Sequence, residues 1–115
     1  MTRGQRLIGS LRIKDRFYDA HERRSYLRTV EVAKRIVDDP SLIEEGRDYL
    51  ERFVRDDPHQ RGGYELWTET LQLPPEEIAR RLLSDTENGA ELRNTAPVFV
   101  VISAGEAQRL WAENA

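Results

Sequence analysis

Two copies of the tripeptide Asp-Asp-Pro, at residues 38–40 and 56–58, limit the length of any helix in the first half of this chain. Proline disfavours the helical conformation in the residue before it, so a helix is expected to stop at or before each copy. Apolar residues recur at helical spacing over residues 21–38 and again from Leu42 to about Arg55. The pattern therefore predicts short amphipathic helices separated by fixed stops.

Further helix boundaries are marked along the rest of the chain. Residues 74–77, Pro-Pro-Glu-Glu, combine the proline and the acidic side chains that are typical of a first helical turn. Ser41 with Glu44, and Ser103 with Glu106, have the spacing of capping boxes. Each of these positions is predicted to begin a helix.

These boundaries predict an all-α fold of five or six short helices in one compact bundle. The strand-like run near the C-terminus has no sequence partner, so we interpret residues 95–102 as an extended connector. A single domain, residues 1–115, is expected because a chain of this length buries one modest core. The residues expected to form much of the core are Tyr49, Phe53, Trp67, Leu82, Leu83, Phe99 and Trp111.

The composition bounds the class of protein. The longest apolar run covers only residues 98–102, far short of the roughly 20 residues that a membrane span needs. No cysteine is present, which excludes thiol chemistry and zinc–thiolate sites. Basic residues interrupt the N-terminal stretch where a signal peptide would have its apolar region. We therefore expect a cytoplasmic protein of the bacterial type with no membrane partner.

Positive and negative charge are separated along the chain. Residues 1–37 hold ten Lys/Arg against four Asp/Glu, a net charge of +6. Residues 38–115 hold eight against seventeen, a net charge of −9. Residues 1–37 are thus expected to form a basic arm joined to an acidic body, and the sequence leaves open whether residues 1–20 are ordered. Such asymmetry is informative about partners and not about fold.

No motif for catalysis or metal binding stands out. The two histidines, His21 and His59, lack the spacing of metal ligands, and no serine lies in a Gly-x-Ser-x-Gly context. Gly62-Gly63 lacks the Lys-Ser/Thr pair that completes a phosphate-binding loop. We therefore expect a protein that is not an enzyme and that uses no cofactor or metal.

The basic N-terminal segment has three interpretations. Its arginines could neutralise nucleic-acid phosphates while Phe17 and Tyr18 stack on bases. They could instead bind an acidic protein, or form a solvated face that pairs with acids of the body. The residues expected to contact a partner are Arg12, Arg16, Phe17, Arg23 and Arg24.

One short motif lies at residues 41–46, Ser-Leu-Ile-Glu-Glu-Gly. It fits the pattern S/T-x-x-x-E-G/N and resembles the inhibitory helix of antitoxins that silence Fic-type AMP-transferases. The resemblance implies that Glu45 reaches an arginine of the toxin's ATP site and blocks productive binding of the γ-phosphate. Gly46 within a helix costs about 1 kcal/mol relative to alanine and indicates the close approach of a neighbouring helix or of a partner.

The C-terminal half carries a second and broader resemblance. Tyr64-x-x-Trp67, the run at residues 92–99 and a capped helix at residues 103–111 make it similar to small bacterial proteins suspected of being antitoxins. The chain has Pro97-Val98-Phe99 where that pattern has proline followed directly by phenylalanine. The resemblance implies a binding protein encoded beside a toxin-type enzyme.

Together these observations favour an antitoxin or inhibitor that covers the acidic or nucleotide-handling site of a partner enzyme. The alternative is a nucleic-acid-binding regulator that uses the same basic segment. A third possibility is an oligomeric accessory domain in which the arm pairs with the acidic body of a second copy. The oligomeric state stays open at the level of sequence.

Overall fold

The two Asp-Asp-Pro copies separate helices in the structure, a computed structural model that describes residues 1–99 and 102–113. Over this part of the chain there are seven α-helices and no strand. The helices are α1 (Arg3–Ser10), α2 (Ala20–Asp38), α3 (Leu42–Tyr49), α4 (Arg61–Thr70), α5 (Pro75–Leu83), α6 (Glu87–Asn94) and α7 (Ala104–Glu113). A π-helical turn, Leu50–Val54, continues α3, and a 3₁₀ turn, Pro58–Gln60, precedes α4.

The predicted all-α bundle is confirmed, and α2 lies at its centre. This helix packs against α1, α5 and α7. The radius of gyration is 13.8 Å, close to the value of about 13 Å expected for a compact domain of some 100 residues. The inward face of α2 carries its buried residues at helical spacing. They are Tyr26, Val30, Ala33, Ile36 and Val37.

Four of the seven predicted core residues are buried, and three are not. Phe53 is 63% exposed, so its assignment to the core was wrong. It lies in the π-helical turn, where Leu50 and Val54 take the inward positions at 2% and 5% exposure. Tyr49 and Trp111 are half-buried. The predicted core residues that are buried are Trp67, Leu82, Leu83 and Phe99.

Of the two predicted capping boxes, one is wrong. The Ser41 side chain makes no cap hydrogen bond, because its hydroxyl donates to Oδ1 of Asp39 at 2.5 Å. The predicted pairing of Ser41 with Glu44 is therefore absent. Oγ of Ser103, by contrast, accepts a hydrogen bond from the Glu106 amide at 3.2 Å, as its spacing predicted.

The glycine of the 41–46 motif is explained by packing within the chain. A Cβ atom at Gly46 would overlap the ring of Phe99, so the close approach predicted at this position is that of the C-terminal connector. Residues 96–99 form neither helix nor strand. The rest of the predicted extended connector includes residues 100 and 101, which lie outside the described residues.

The N-terminal segment, whose order the sequence leaves open, packs against α2. The Gly4 amide donates a hydrogen bond to Oδ1 of Asp38 at 2.7 Å, and Leu7 belongs to the core. A Cβ atom at Gly4 would overlap the backbone of Lys34, so α1 approaches α2 closely. No helix in the described part of the chain is long and apolar enough to cross a membrane.

Candidate partner-binding surface

One buried tyrosine anchors the segment between α1 and α2. Tyr26 is 3% exposed; its Oη donates a hydrogen bond to the Leu83 carbonyl at 2.6 Å and accepts one from the Lys14 amide at 3.1 Å. The Phe17 ring packs on the Tyr26 ring with centroids 5.5 Å apart. Residues 11–19, which are not helical, are thereby held beside the first turns of α2.

Lys14 links this loop to α2 by an ion pair. Its Nζ lies 2.7 Å from Glu22 and 3.8 Å from Asp85. The hydrogen bond from Lys14, with a backbone hydrogen bond from Tyr18, holds the pKa of Glu22 below its ordinary value. The same bond to Glu22 raises the pKa of Lys14. The charge of Lys14 is therefore already matched by carboxylates of its own chain.

The arginines fall into two groups according to their partners. Every arginine between residues 47 and 81 makes an ion pair with a carboxylate: Arg47, Arg52, Arg55, Arg61, Arg80 and Arg81. Between residues 12 and 28, no arginine makes an ion pair with a described carboxylate. These five side chains, called the arginine surface below, are Arg12, Arg16, Arg23, Arg24 and Arg28. The absence of ion pairs in this set is also what a solvated face would show, whereas Arg3, at the start of α1, pairs with Glu76 of the body at 3.7 Å.

Three adjoining cavities lie beside the arginine surface: the loop of residues 12–15 and Asp85 line the first, and residues of α2 line part of the second and third. Their volumes are about 300, 310 and 360 Å³. The first and second share Lys14, and the second and third share His21 and Ser25, so the three form one groove, called the α2 groove below. The members of the arginine surface that line it are Arg12 in the first cavity and Arg24 and Arg28 in the third.

Arg93 lines the middle cavity, and hydrogen bonds fix the position of its guanidinium group. Its Nη1 donates hydrogen bonds to the carbonyls of Leu82 at 3.0 Å and Ser84 at 2.8 Å. Its guanidinium carbon lies 5.0 Å from the centroid of the Tyr26 ring. Arg93 thus satisfies carbonyls at the end of α5, where a cation is favourable, and places positive charge in the groove.

Five of the predicted contact residues lie in this region. Arg12, Arg16 and Arg24 are exposed, and Arg23 is half-buried. Phe17 is half-buried and packs on Tyr26, so it contributes to holding the loop of residues 11–19 against α2.

Glu45, the sixth predicted contact, lies elsewhere. It is exposed on α3 and lines a cavity of about 240 Å³ together with Tyr49, Phe53 and Val98. This cavity shares no lining residue with the α2 groove. The structure therefore does not bring Glu45 together with the arginine surface.

Arg28 and Trp111 are among the groove residues that were absent from the predicted contacts. Arg28 lies one helical turn after Arg24, a spacing of four residues that is visible in the sequence and predicts a shared face. Trp111 was expected in the core, but it is half-buried and lines the third cavity. Its place beside α2 depends on how α7 docks, which local spacing does not predict.

The arginine surface and the α2 groove are built mainly from charged and aromatic side chains. Among the described residues, no group of three or more His, Cys, Asp or Glu side chains could hold a metal ion. No protein-family model, curated protein or solved structure matches this chain. Function is therefore inferred from the arginine surface and the α2 groove.

Proposed function

We propose that this protein is a non-catalytic antitoxin or inhibitor of the bacterial cytoplasm that covers an acidic site of a partner enzyme. One observation carries the proposal: the arginine surface has no carboxylate partner among the described side chains, whereas every arginine between residues 47 and 81 has one. A guanidinium group binds carboxylates bidentately and is weakly hydrated, which suits it to interfaces. An acidic partner would supply the missing counter-charges.

An acidic protein suits this surface better than a long polyanion does. The groove also contains Asp15, Glu22 and Asp85, and residues 38–115 carry a net charge of −9. A nucleic-acid backbone that extended beyond the arginine surface would meet this negative potential. A compact acidic patch on a protein could contact the arginine surface without approaching these carboxylates.

The second candidate is a nucleic-acid-binding regulator, and one side chain favours it. Tyr18 is 93% exposed in the loop that carries Arg12 and Arg16. Exposed aromatic rings among cations are platforms on which unpaired bases stack. This candidate predicts binding that falls steeply with salt concentration and that is lost in Tyr18→Ser.

In the antitoxin form of the proposal, Glu45 makes a separate contact. It is exposed and has no ion-pair partner among the described residues, so it is free to reach an arginine of a Fic-type enzyme, as the resemblance of residues 41–46 implies. Gly46 adds no support, because Phe99 accounts for it. Glu45→Gln should reduce inhibition of such an enzyme at unchanged stability, and full inhibition by this variant would reject the role.

The proposal is tested by affinity purification of the full chain from native lysate, with and without nuclease, and by titration of the recovered partner. Arg23→Gln with Arg24→Gln should weaken the complex at least about tenfold, because each charge-assisted hydrogen bond lost costs about 1.5–3 kcal/mol. The matched control is Arg80→Gln with Arg81→Gln. It removes the same charge from adjacent helical arginines that already pair with Glu77.

Three outcomes are informative. A loss confined to the Arg23/Arg24 variant supports the arginine surface as the interface. Equal losses in the two variants, or none in either, reject it. Nucleic acid recovered from the untreated sample, with no protein partner in either sample, favours the second candidate. Circular dichroism of both variants should match that of the parent chain, since the exchanged side chains lie outside the core.

A further inference from the structure

The third cavity of the α2 groove lies between α2 and α7 and differs from the other two. Its lining is His21, Arg24, Ser25, Arg28 and Trp111. It contains two arginines of the arginine surface and no carboxylate, whereas each of the other two cavities contains at least one. Positive charge here is therefore unopposed by the lining.

Arg24 is held in place for binding. Its guanidinium carbon lies 5.5 Å from the centroid of the Trp111 ring, which is the distance of a cation–π contact. A guanidinium group that stacks on a ring keeps the N–H groups at its edge available. Because the aromatic contact restrains the side chain, less conformational entropy is lost when a ligand binds those N–H groups.

A second observation at the same place is an unmatched donor. Nε1 of Trp111 is buried and has no hydrogen-bond acceptor among the described residues. Buried indole N–H groups normally have a partner, since leaving one unpaired is unfavourable. The other tryptophan follows this rule, because Nε1 of Trp67 donates to the Leu92 carbonyl at 3.1 Å. The unmatched donor thus belongs to a residue that lines the third cavity.

We infer that the third cavity is an anion site that receives the carboxylate of a glutamate or aspartate side chain. Arg24 and Arg28, one helical turn apart, bind its two oxygens, and the methylene stem lies beside the indole of Trp111, which lines the same cavity. The volume of about 360 Å³ is ample for one such side chain. The inference rests on the proposed function in one respect, since it takes the carboxylate to belong to an acidic partner.

A carboxylate is favoured over a phosphate by the shape and lining of the cavity. The aromatic wall suits an aliphatic stem that carries a charged head. A phosphate of a nucleic-acid chain has no such stem, and its neighbouring phosphates would approach the acids of the middle cavity.

The test uses the ¹⁵N-labelled full chain and triglutamate as the probe. The chain has two tryptophans, so two indole N–H signals are expected, and Trp111→Phe identifies the one from Trp111. Triglutamate should shift the Trp111 signal in a saturable manner. The signal of Trp67, which is buried and bonded to Leu92, should stay in place. Inorganic phosphate at equal ionic strength is the competing probe.

The variants decide whether the cavity is the site. Arg28→Gln should raise the half-saturating triglutamate concentration about tenfold, the effect of losing one charge-assisted hydrogen bond. Arg80→Gln, whose parent arginine pairs with Glu77, should leave it unchanged. An unmoved Trp111 signal, or an equal effect of both substitutions, overturns the site. Phosphate that binds as tightly as triglutamate overturns its assignment to carboxylate.

Both tests involve Arg24, but their readouts differ, so the failure of the anion site and the failure of the proposed function can be told apart. If triglutamate binds as expected while the Arg23/Arg24 substitutions leave the partner complex intact, the anion site stands and the proposed interface fails. If those substitutions weaken the complex while triglutamate leaves the Trp111 signal unmoved, the interface stands and the anion site fails.

Discussion

Oη of Tyr26 donates a hydrogen bond to the carbonyl of Leu83 at 2.6 Å, which joins the central helix to the end of α5. The same oxygen accepts from the Lys14 amide, so one buried hydroxyl fixes the relation of α2, α5 and the loop of residues 11–19. That loop carries Arg12 and Arg16. The geometry of the arginine surface therefore depends on a core residue that contacts no partner.

Tyr26→Phe should destabilise the chain by about 1–3 kcal/mol, because it leaves the buried Leu83 carbonyl without its donor. Hydrogen exchange of the amides in residues 11–19 should also become faster, since the Lys14 amide loses its acceptor. Chemical denaturation and exchange mass spectrometry measure the two effects. Tyr64→Phe is the control: it removes a hydroxyl bonded to Glu51 on an exposed part of the surface. Unaltered exchange in residues 11–19 would contradict the anchoring role.

Gly46→Ala should destabilise the chain by about 1–3 kcal/mol, because the new methyl group overlaps the Phe99 ring and forces repacking. Gly9→Ala is the matched comparison. It also lies within a helix, but nothing lies within 4 Å of the added Cβ. Its helix propensity should therefore stabilise the chain by up to about 1 kcal/mol. Denaturant midpoints give both values, and the same sign for the two substitutions would contradict the packing at Gly46.

The exposure of Phe53 and the burial of Leu50 in one π-helical turn predict different effects of alanine substitution on stability. Phe53→Ala should cost less than about 1 kcal/mol, as is usual for surface positions. Leu50→Ala should cost about 2–5 kcal/mol, because Leu50 is 2% exposed. If the two substitutions cost the same, the π-helical turn does not orient these side chains as described. The pair thus tests the one large error in the predicted core.

Local pattern predicted the helices of this fold and missed features set by tertiary contacts. The Asp-Asp-Pro stops and the apolar spacing of residues 21–38 act within a few residues, so they were predictable. Phe53 was misplaced because a π-helical turn changes which side chains point inward, and nothing in its spacing indicates such a turn. The positive charge of the basic segment was visible in the sequence. Whether its arginines have carboxylate partners depends on distances between helices, which the sequence does not show. The contact of Arg24 with Trp111 likewise depends on the docking of α7.

The ion pair that docks α7 predicts a dependence of stability on pH. Nη2 of Arg35 lies 2.5 Å from Oε2 of Glu106. The hydrogen bond from Arg35 lowers the pKa of Glu106 below its ordinary value of 4.5. A folded-state pKa below the unfolded one stabilises the fold at neutral pH, and this contribution is lost as the pH falls through the folded value.

Glu106→Gln should therefore be less stable than the parent chain at about pH 7. The difference should shrink at about pH 3, because the Glu106 carboxyl of the unfolded parent chain is then largely protonated and folding with the ion pair intact must release that proton. Denaturation curves of both chains at the two pH values measure it. Glu113→Gln, also on α7, is the control, since Glu113 makes no ion pair with a described residue. A difference between parent and Glu106→Gln that stays constant with pH would contradict the role of the ion pair.

The unpaired arginines predict that salt slows association with an acidic partner. Screening shortens the Debye length from about 10 Å at 0.1 M to about 3 Å at 1 M, which weakens steering far more than contacts already formed. Stopped-flow rates should show a falling association rate and a nearly constant dissociation rate. Arg16→Gln should make the association rate less sensitive to salt. Arg61→Gln, an exposed arginine paired with Glu65 at 3.3 Å, should leave that sensitivity unchanged. Equal reductions in the two variants would mean that net charge alone steers the encounter and that the arginine surface has no special part in it.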